Sequence, residues 1–129
     1  MPASYVIHKE QRLVIITLSG CVTLDDIQTL IEQGTKDPDF DPRFNELVDL
    51  RTVTEFALSG DQARTFARWR VYDAESRRAF VACAPHIFGF GRMWQAYAEL
   101  SGNPTAIRVF YDLPPALKWL GLNDIPLGK

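Results

Sequence analysis

The chain has 129 residues, 47% of them apolar and 23% charged, with a formal net charge of −2. That length holds one domain with a proper core, and the balance excludes a disordered chain and argues against a nucleic-acid binder, which would carry a basic stripe. Arginines do gather at Arg64, Arg68, Arg70, Arg77 and Arg78, but Asp61, Asp73 and Glu75 are interleaved with them, the pattern of a salt-bridged solvated face.

Tyr5-Val6-Ile7-His8 and Leu13 to Leu18 are β-rich runs flanking the polar Lys9-Glu10-Gln11-Arg12, which predicts an antiparallel hairpin. Thr23-Leu24-Asp25-Asp26 has the form of an acidic capping box. Leu24, Ile27, Leu30 and Ile31 then recur at helical spacing, with Gly34 as the expected stop. Lys36 to Pro42 is a turn-rich loop whose two prolines forbid a continued helix. Leu47-Val48-Asp49-Leu50 reads as a buried strand. Ser59-Gly60-Asp61-Gln62 is a second capping box, opening an amphipathic run to Tyr72 with Ala63, Phe66, Ala67, Arg70 and Val71 on its inner face.

Ala79 to Ala84 is a continuous apolar run, as in a central parallel strand covered on both faces. Pro85-His86-Ile87-Phe88-Gly89-Phe90-Gly91 reads as an apolar loop leading into Arg92-Met93-Trp94, and Met93, Ala96, Tyr97 and Leu100 repeat as a helix ending at Gly102. Ala106 to Tyr111 is the last strand. Asp112 caps a final helix that tolerates Pro114 and Pro115, packs through Leu117, Trp119 and Leu120, and closes at Gly121. The order β-β-α-β-α-β-α-β-α predicts an α/β fold with a mostly parallel sheet and an antiparallel N-terminal strand. One domain spans residues 1–129, with 123–129 expected as a tail.

In this order Val48-Asp49-Leu50-Arg51 leads to Ala57-Leu58-Ser59-Gly60, and here the chain resembles the STAS and SpoIIAA-like group, the fold of anti-sigma-factor antagonists and sulfate-transporter tails. In the phosphorylatable antagonists the loop reads Asp-Ser-Ser-Gly or similar; Ser59 and Gly60 match, while Ala57 and Leu58 replace the acidic residue and the first serine, which argues against a kinase-driven switch. Arg92-Met93, Arg108-Val109-Phe110-Tyr111-Asp112 and Ala116-Leu117-Lys118-Trp119-Leu120 resemble the SpoIIAA-like branch described alongside the lipid-binding Sec14 (CRAL-TRIO-type) fold. For that branch the resemblance implies binding of a small apolar ligand or of a membrane surface, without established catalysis.

The candidate site follows from strand ends: in an open α/β sheet, loops at the carboxyl ends of strands meet ligands. Phe56, Leu58, Ile87, Phe88, Phe90, Met93 and Trp94 form the expected apolar wall, with Arg92 at its mouth for an acidic head group and Gly89 and Gly91 as hinges of a flap. The same aromatics also suit plain core packing. Ser59 is read either as an N-cap or as a regulatory phosphosite for a protein partner. A homodimer through the apolar loop is a third expectation. Asp49 is expected to partner Arg51 or a backbone amide. His8 and His86 fall at different places on the sheet, Cys21 and Cys83 are expected as reduced core residues, and no cofactor or metal spacing occurs. No nucleophile elbow or phosphate loop is present, so no enzyme activity is expected. Lacking a leader or an apolar run near the roughly 20 residues of a membrane span, the chain is expected to be cytoplasmic.

Overall fold

The computed structural model describes residues 3–68, 71–103 and 105–123. Five strands form one sheet in the order β1 (Ala3–His8), β2 (Leu13–Thr23), β3 (Asn45–Ala57), β4 (Arg77–Val81), β5 (Ala106–Phe110). β1 runs antiparallel to β2 and every other pairing is parallel. Four helices complete the single α/β domain: α1 (Leu24–Lys36), α2 (Gly60–Ala67), α3 (Pro85–Leu100) and α4 (Leu113–Trp119).

Strands laid side by side in chain order force each connecting helix onto one face, because parallel crossovers are right-handed. Thus Ile27 and Leu30 of α1, Phe66 of α2 and Trp94 of α3 share a core with Leu18, Val48, Leu50 and Phe80 of the sheet. α4 follows β5, the last strand among the described residues, and covers the opposite face, where Ala116, Leu117 and Leu120 pack on Leu13, Leu47, Ala79 and Val81.

Local chemistry sets the helix limits. Thr23 accepts from Asp26 N–H while Asp26 accepts from Thr23 N–H, and Ser59 and Gln62 make the same reciprocal pair, so both expected capping boxes are present. α3 and α4 end in Schellman motifs: Gly102 (φ +78°) and Gly121 (φ +80°) turn the chain so that Asn103 N–H reaches the Ala98 carbonyl and Leu122 N–H the Leu117 carbonyl. α1 runs past Gly34 to Lys36, and Asp37 N–H closes it on the Gly34 carbonyl. Asp112 stands at the N-cap of α4 without a side-chain cap bond, and the prolines of the first turn reduce the number of N–H groups to be capped.

Several elements differ from expectation. β3 is 13 residues and β2 11, and they stay paired to Val22↔Phe56 and Thr23↔Ala57, beyond the end of β4. The register shifts at Thr17/Ser19 and Gly20/Cys21, with Gly20 at φ +65°, bend this ribbon. α2 ends at Ala67, not Tyr72, since Tyr72 is drawn into the interior; Arg70 lies outside the described residues, as do 124–129 of the expected tail. The apolar stretch at 85–91 is helix, not loop: Pro85 occupies the first turn and α3 starts there, so Gly89 and Gly91 are not flap hinges. Cys21 and Cys83 are free but exposed, not core; Cys21 lies on the outward side of the β2 ribbon and Cys83 just past β4.

Gly91 has a packing reason. A Cβ there would lie 3.1 Å from Val109 Cγ1 and 3.3 Å from Cγ2, so α3 approaches β5 as closely as backbone allows. Gly91→Leu is therefore expected to cost about 1–3 kcal/mol by overpacking, measured by urea titration, with part of the loss recovered when Val109→Ala is added.

Candidate functional site

Between the sheet and the helices lies an open cavity of about 110 Å³. Its floor is the helix-side face of β1 to β4, its sides α1 and α3, and its rim includes Gly34 and the exposed Thr35 of α1. The lining is largely apolar, and its two ends differ.

At the carboxyl end of the strands the lining is aromatic. The overhanging β2–β3 ribbon carries Phe56 onto α3, where its ring stacks on Phe90 at 4.2 Å, and Trp94 lies parallel to Phe66 at 6.2 Å. Aromatic pairs of this kind add about 0.5–1.5 kcal/mol beyond their burial. The Trp94 indole N–H is buried and meets no acceptor among the described residues. A buried donor without a partner is unusual enough to require a reason.

At the amino end of the strands lies a charged cluster. Glu46 opens β3 directly opposite Arg78 of β4, both on the helix-side face. Arg78 Nε donates to Glu46 Oε1 at 2.7 Å, and the Tyr72 hydroxyl donates to Glu46 Oε2 at 2.8 Å. The Arg78 guanidinium rests over the Tyr72 and Phe80 rings at 5.2 and 5.6 Å. Glu46 is only 2% exposed. Tyr72 is held there by its loop: Thr105 Oγ1 donates to the Tyr72 and Asp73 carbonyls, and Asp73 N–H and Ser76 Oγ both donate to the Pro42 carbonyl.

The electrostatics follow from burial. For Arg78, burial works against the cation, but the Glu46 carboxylate and then Tyr72 outweigh it and raise its pKa. Burial first and the Glu46 charge second push the Tyr72 phenol well above its ordinary value, which keeps it a hydrogen-bond donor.

The expected site residues divide. Phe56, Phe90 and Trp94 line the cavity. Leu58 and Met93 are half-buried against the main core, and Ile87 is wholly inside it at 1% exposure. Phe88 turns away to stack on Tyr111, 3.8 Å distant, and Arg92 is exposed. Ser59 is an exposed N-cap. Asp49 accepts from the Arg51 backbone and guanidinium at 2.9–3.0 Å; burial raises its pKa, but these bonds prevail and lower it. His86 Nε2 bonds the Thr54 carbonyl, whereas His8 ends β1. Among the described residues no three potential metal ligands cluster, and no helix is long and apolar enough to cross a membrane.

Arg78 is a correction: it belongs to a buried pair, not to a solvated arginine face. One signal could have exposed it. Glu46-Leu47-Val48-Asp49-Leu50 alternates so that Glu46 shares the face of Val48 and Leu50, and a carboxylate in core register demands a cation nearby.

A solved structure described as an uncharacterized protein of the DUF3478 family with a SpoIIAA-like fold, from Shewanella loihica PV-4, superposes with a TM-score of 0.60. The two share 15% sequence identity over 92% of this chain and 91% of that one. The fold is SpoIIAA-like. No family profile and no curated protein sequence matches the chain. The SpoIIAA-like frame supplies the sheet and crossover helices; Glu46, Arg78 and Tyr72 are read from this chain itself.

Removing one partner of the charged cluster leaves a buried charge uncompensated. Glu46→Leu is expected to cost about 3–5 kcal/mol, and Glu46→Leu with Arg78→Leu substantially less, as read from urea midpoints in a double-mutant cycle. Because the Tyr72 pKa is raised in the folded state, its contribution is complete below the ordinary tyrosine value of about 10 and declines as pH rises through the folded value. Tyr72→Phe should abolish that part of the alkaline loss of stability, measured by thermal melts from neutral to alkaline pH.

Proposed function

We propose that the chain is a non-catalytic SpoIIAA-like binding module that takes up a small apolar ligand in the cavity between the sheet, α1 and α3. The supporting observation is the lining itself: apolar side chains from four strands and three helices surround a space that opens at the Gly34 rim. Such clefts, mostly apolar with a few placed polar groups, are the usual form of small-molecule sites. Phe56, Phe90 and Trp94 form one wall in this reading. Ile87, Phe88 and Arg92 take no part in it, and recognition of a membrane surface or of a partner at Ser59 is not required by it.

Gly34 provides the test. A Cβ at this helical position meets no atom within 4 Å, so the first carbon of a larger side chain is accommodated without a clash beside the cavity that Gly34 lines. Replacing a mid-helix glycine also favours the helix by roughly 0.5–1 kcal/mol. Gly34→Leu is expected to melt at or above the wild-type temperature while weakening binding of a small apolar fluorophore, 1-aminoanthracene, by about tenfold or more, the scale of overpacking at about 1–3 kcal/mol. Fluorescence titration of both proteins decides it; equal binding by a well-folded Gly34→Leu would overturn the proposal.

A further inference from the structure

The polar end of the cavity has hydrogen-bond donors to spare. Each Glu46 oxygen already accepts one bond, Oε1 from Arg78 Nε and Oε2 from the Tyr72 hydroxyl. On Arg78 only Nε finds a protein acceptor; its two Nη amino groups meet none among the described residues and, unlike the Trp94 indole nitrogen, are not fully buried, so they stay open to solvent on a side chain that lines the cavity. An arginine carries five N–H donors in a fixed fork, so four remain to be satisfied. Trp94 adds a buried indole N–H without an acceptor in the same lining.

The charges are already balanced. Glu46 and Arg78 form a close ion pair in a low-dielectric setting, and a second carboxylate on the same guanidinium would place two like charges around one cation. A ligand head that offers an oxygen acceptor without a charge meets the demand for acceptors and leaves the pair intact. Resting on the cavity reading above, we infer that the cavity selects an amphipathic molecule with an uncharged carbonyl head, of the ester or ketone class, whose oxygen accepts from the Arg78 Nη groups while its hydrocarbon lies along the apolar lining toward Phe56 and Phe90. Arg78 is the specificity-determining group, and Glu46 sets the sign of the preference by holding the guanidinium neutralised.

The experiment compares three probes with the same hydrocarbon scale, octane, methyl octanoate and octanoate, below micellar concentrations and at a pH where the acid is ionised. Binding to the intact chain is followed by NMR through the Trp94 indole N–H and the methyl groups of Ile27, Leu30 and Val48. Methyl octanoate is expected to bind roughly tenfold or more tighter than octanoate, and tighter than octane. Glu46→Gln frees the guanidinium charge, so it is expected to narrow or reverse the preference for ester over acid. Octanoate matching the ester in the wild type, or octane matching both, would overturn the head-group inference and leave the apolar cavity standing. Failure of all three probes to shift these resonances would overturn both readings. If Glu46→Gln does not fold, the wild-type protein still decides: the acid's affinity must climb toward the ester's as pH falls through the acid's own pKa, and a flat profile overturns the inference.

Discussion

The handedness of parallel crossovers governs this molecule. With β2 to β5 side by side in chain order, α1, α2 and α3 have only one face available. α1 stands over β1 and β2, while α3 leans on β3 and β5. Three helices of 13, 8 and 16 residues do not tile that face evenly. The space left between α1 and α3 over the middle strands is the cavity. It is a consequence of topology, and the lining residues determine what the space accepts. Gly91 contributes by letting α3 settle close to β5, while the long β2–β3 ribbon brings Phe56 up to close the aromatic end.

A charged pair inside an apolar face carries a cost that the hydrophobic effect does not repay. Two leucines of similar volume would pack there with no ions to desolvate. Here each Glu46 oxygen accepts one bond, Tyr72 is kept protonated by its burial and then by the same carboxylate, and the guanidinium lies near two aromatic rings. The arrangement fixes a directional, polar terminus in an otherwise greasy space. Such a terminus gives orientation to whatever lies along the lining, which an all-leucine floor would not do.

Features carried by local chemistry were legible in the sequence. Thr23 with Asp26, Ser59 with Gln62, and Gly102 and Gly121 announce helix ends because each bond closes within a few residues. The order of elements along the chain and the mostly parallel sheet with its antiparallel N-terminal strand followed from their alternation. Features that rest on long-range partners were not legible. The start of α3 at Pro85 is hidden by Gly89 and Gly91, two poor helix formers; Gly91 is required by its close packing on Val109, while Gly89 is exposed. Tyr72 was read as the end of a helix because the hydroxyl of Thr105 and the carboxylate of Glu46, which place it, lie 33 and 26 residues away. Arg78 was grouped with its neighbours in sequence, whereas its counter-ion is supplied by the register of β3 on β4. Of the expected apolar wall, Phe56, Phe90 and Trp94 line the cavity, whereas Ile87, Phe88 and Arg92 do not.

The second core, under α4, has a separate consequence. It joins a seven-residue helix to Leu13, Leu47, Ala79 and Val81 on the face away from the cavity, and its buried members are distinct from those of the larger core. Elements with fewer buried contacts open locally at lower free energy than the main core, and α4 is held by this smaller core together with Arg77 Nη1, which donates to the Trp119 carbonyl at 2.7 Å. The sheet keeps the two sides apart, and none of the buried residues beneath α4 is among those that line the cavity.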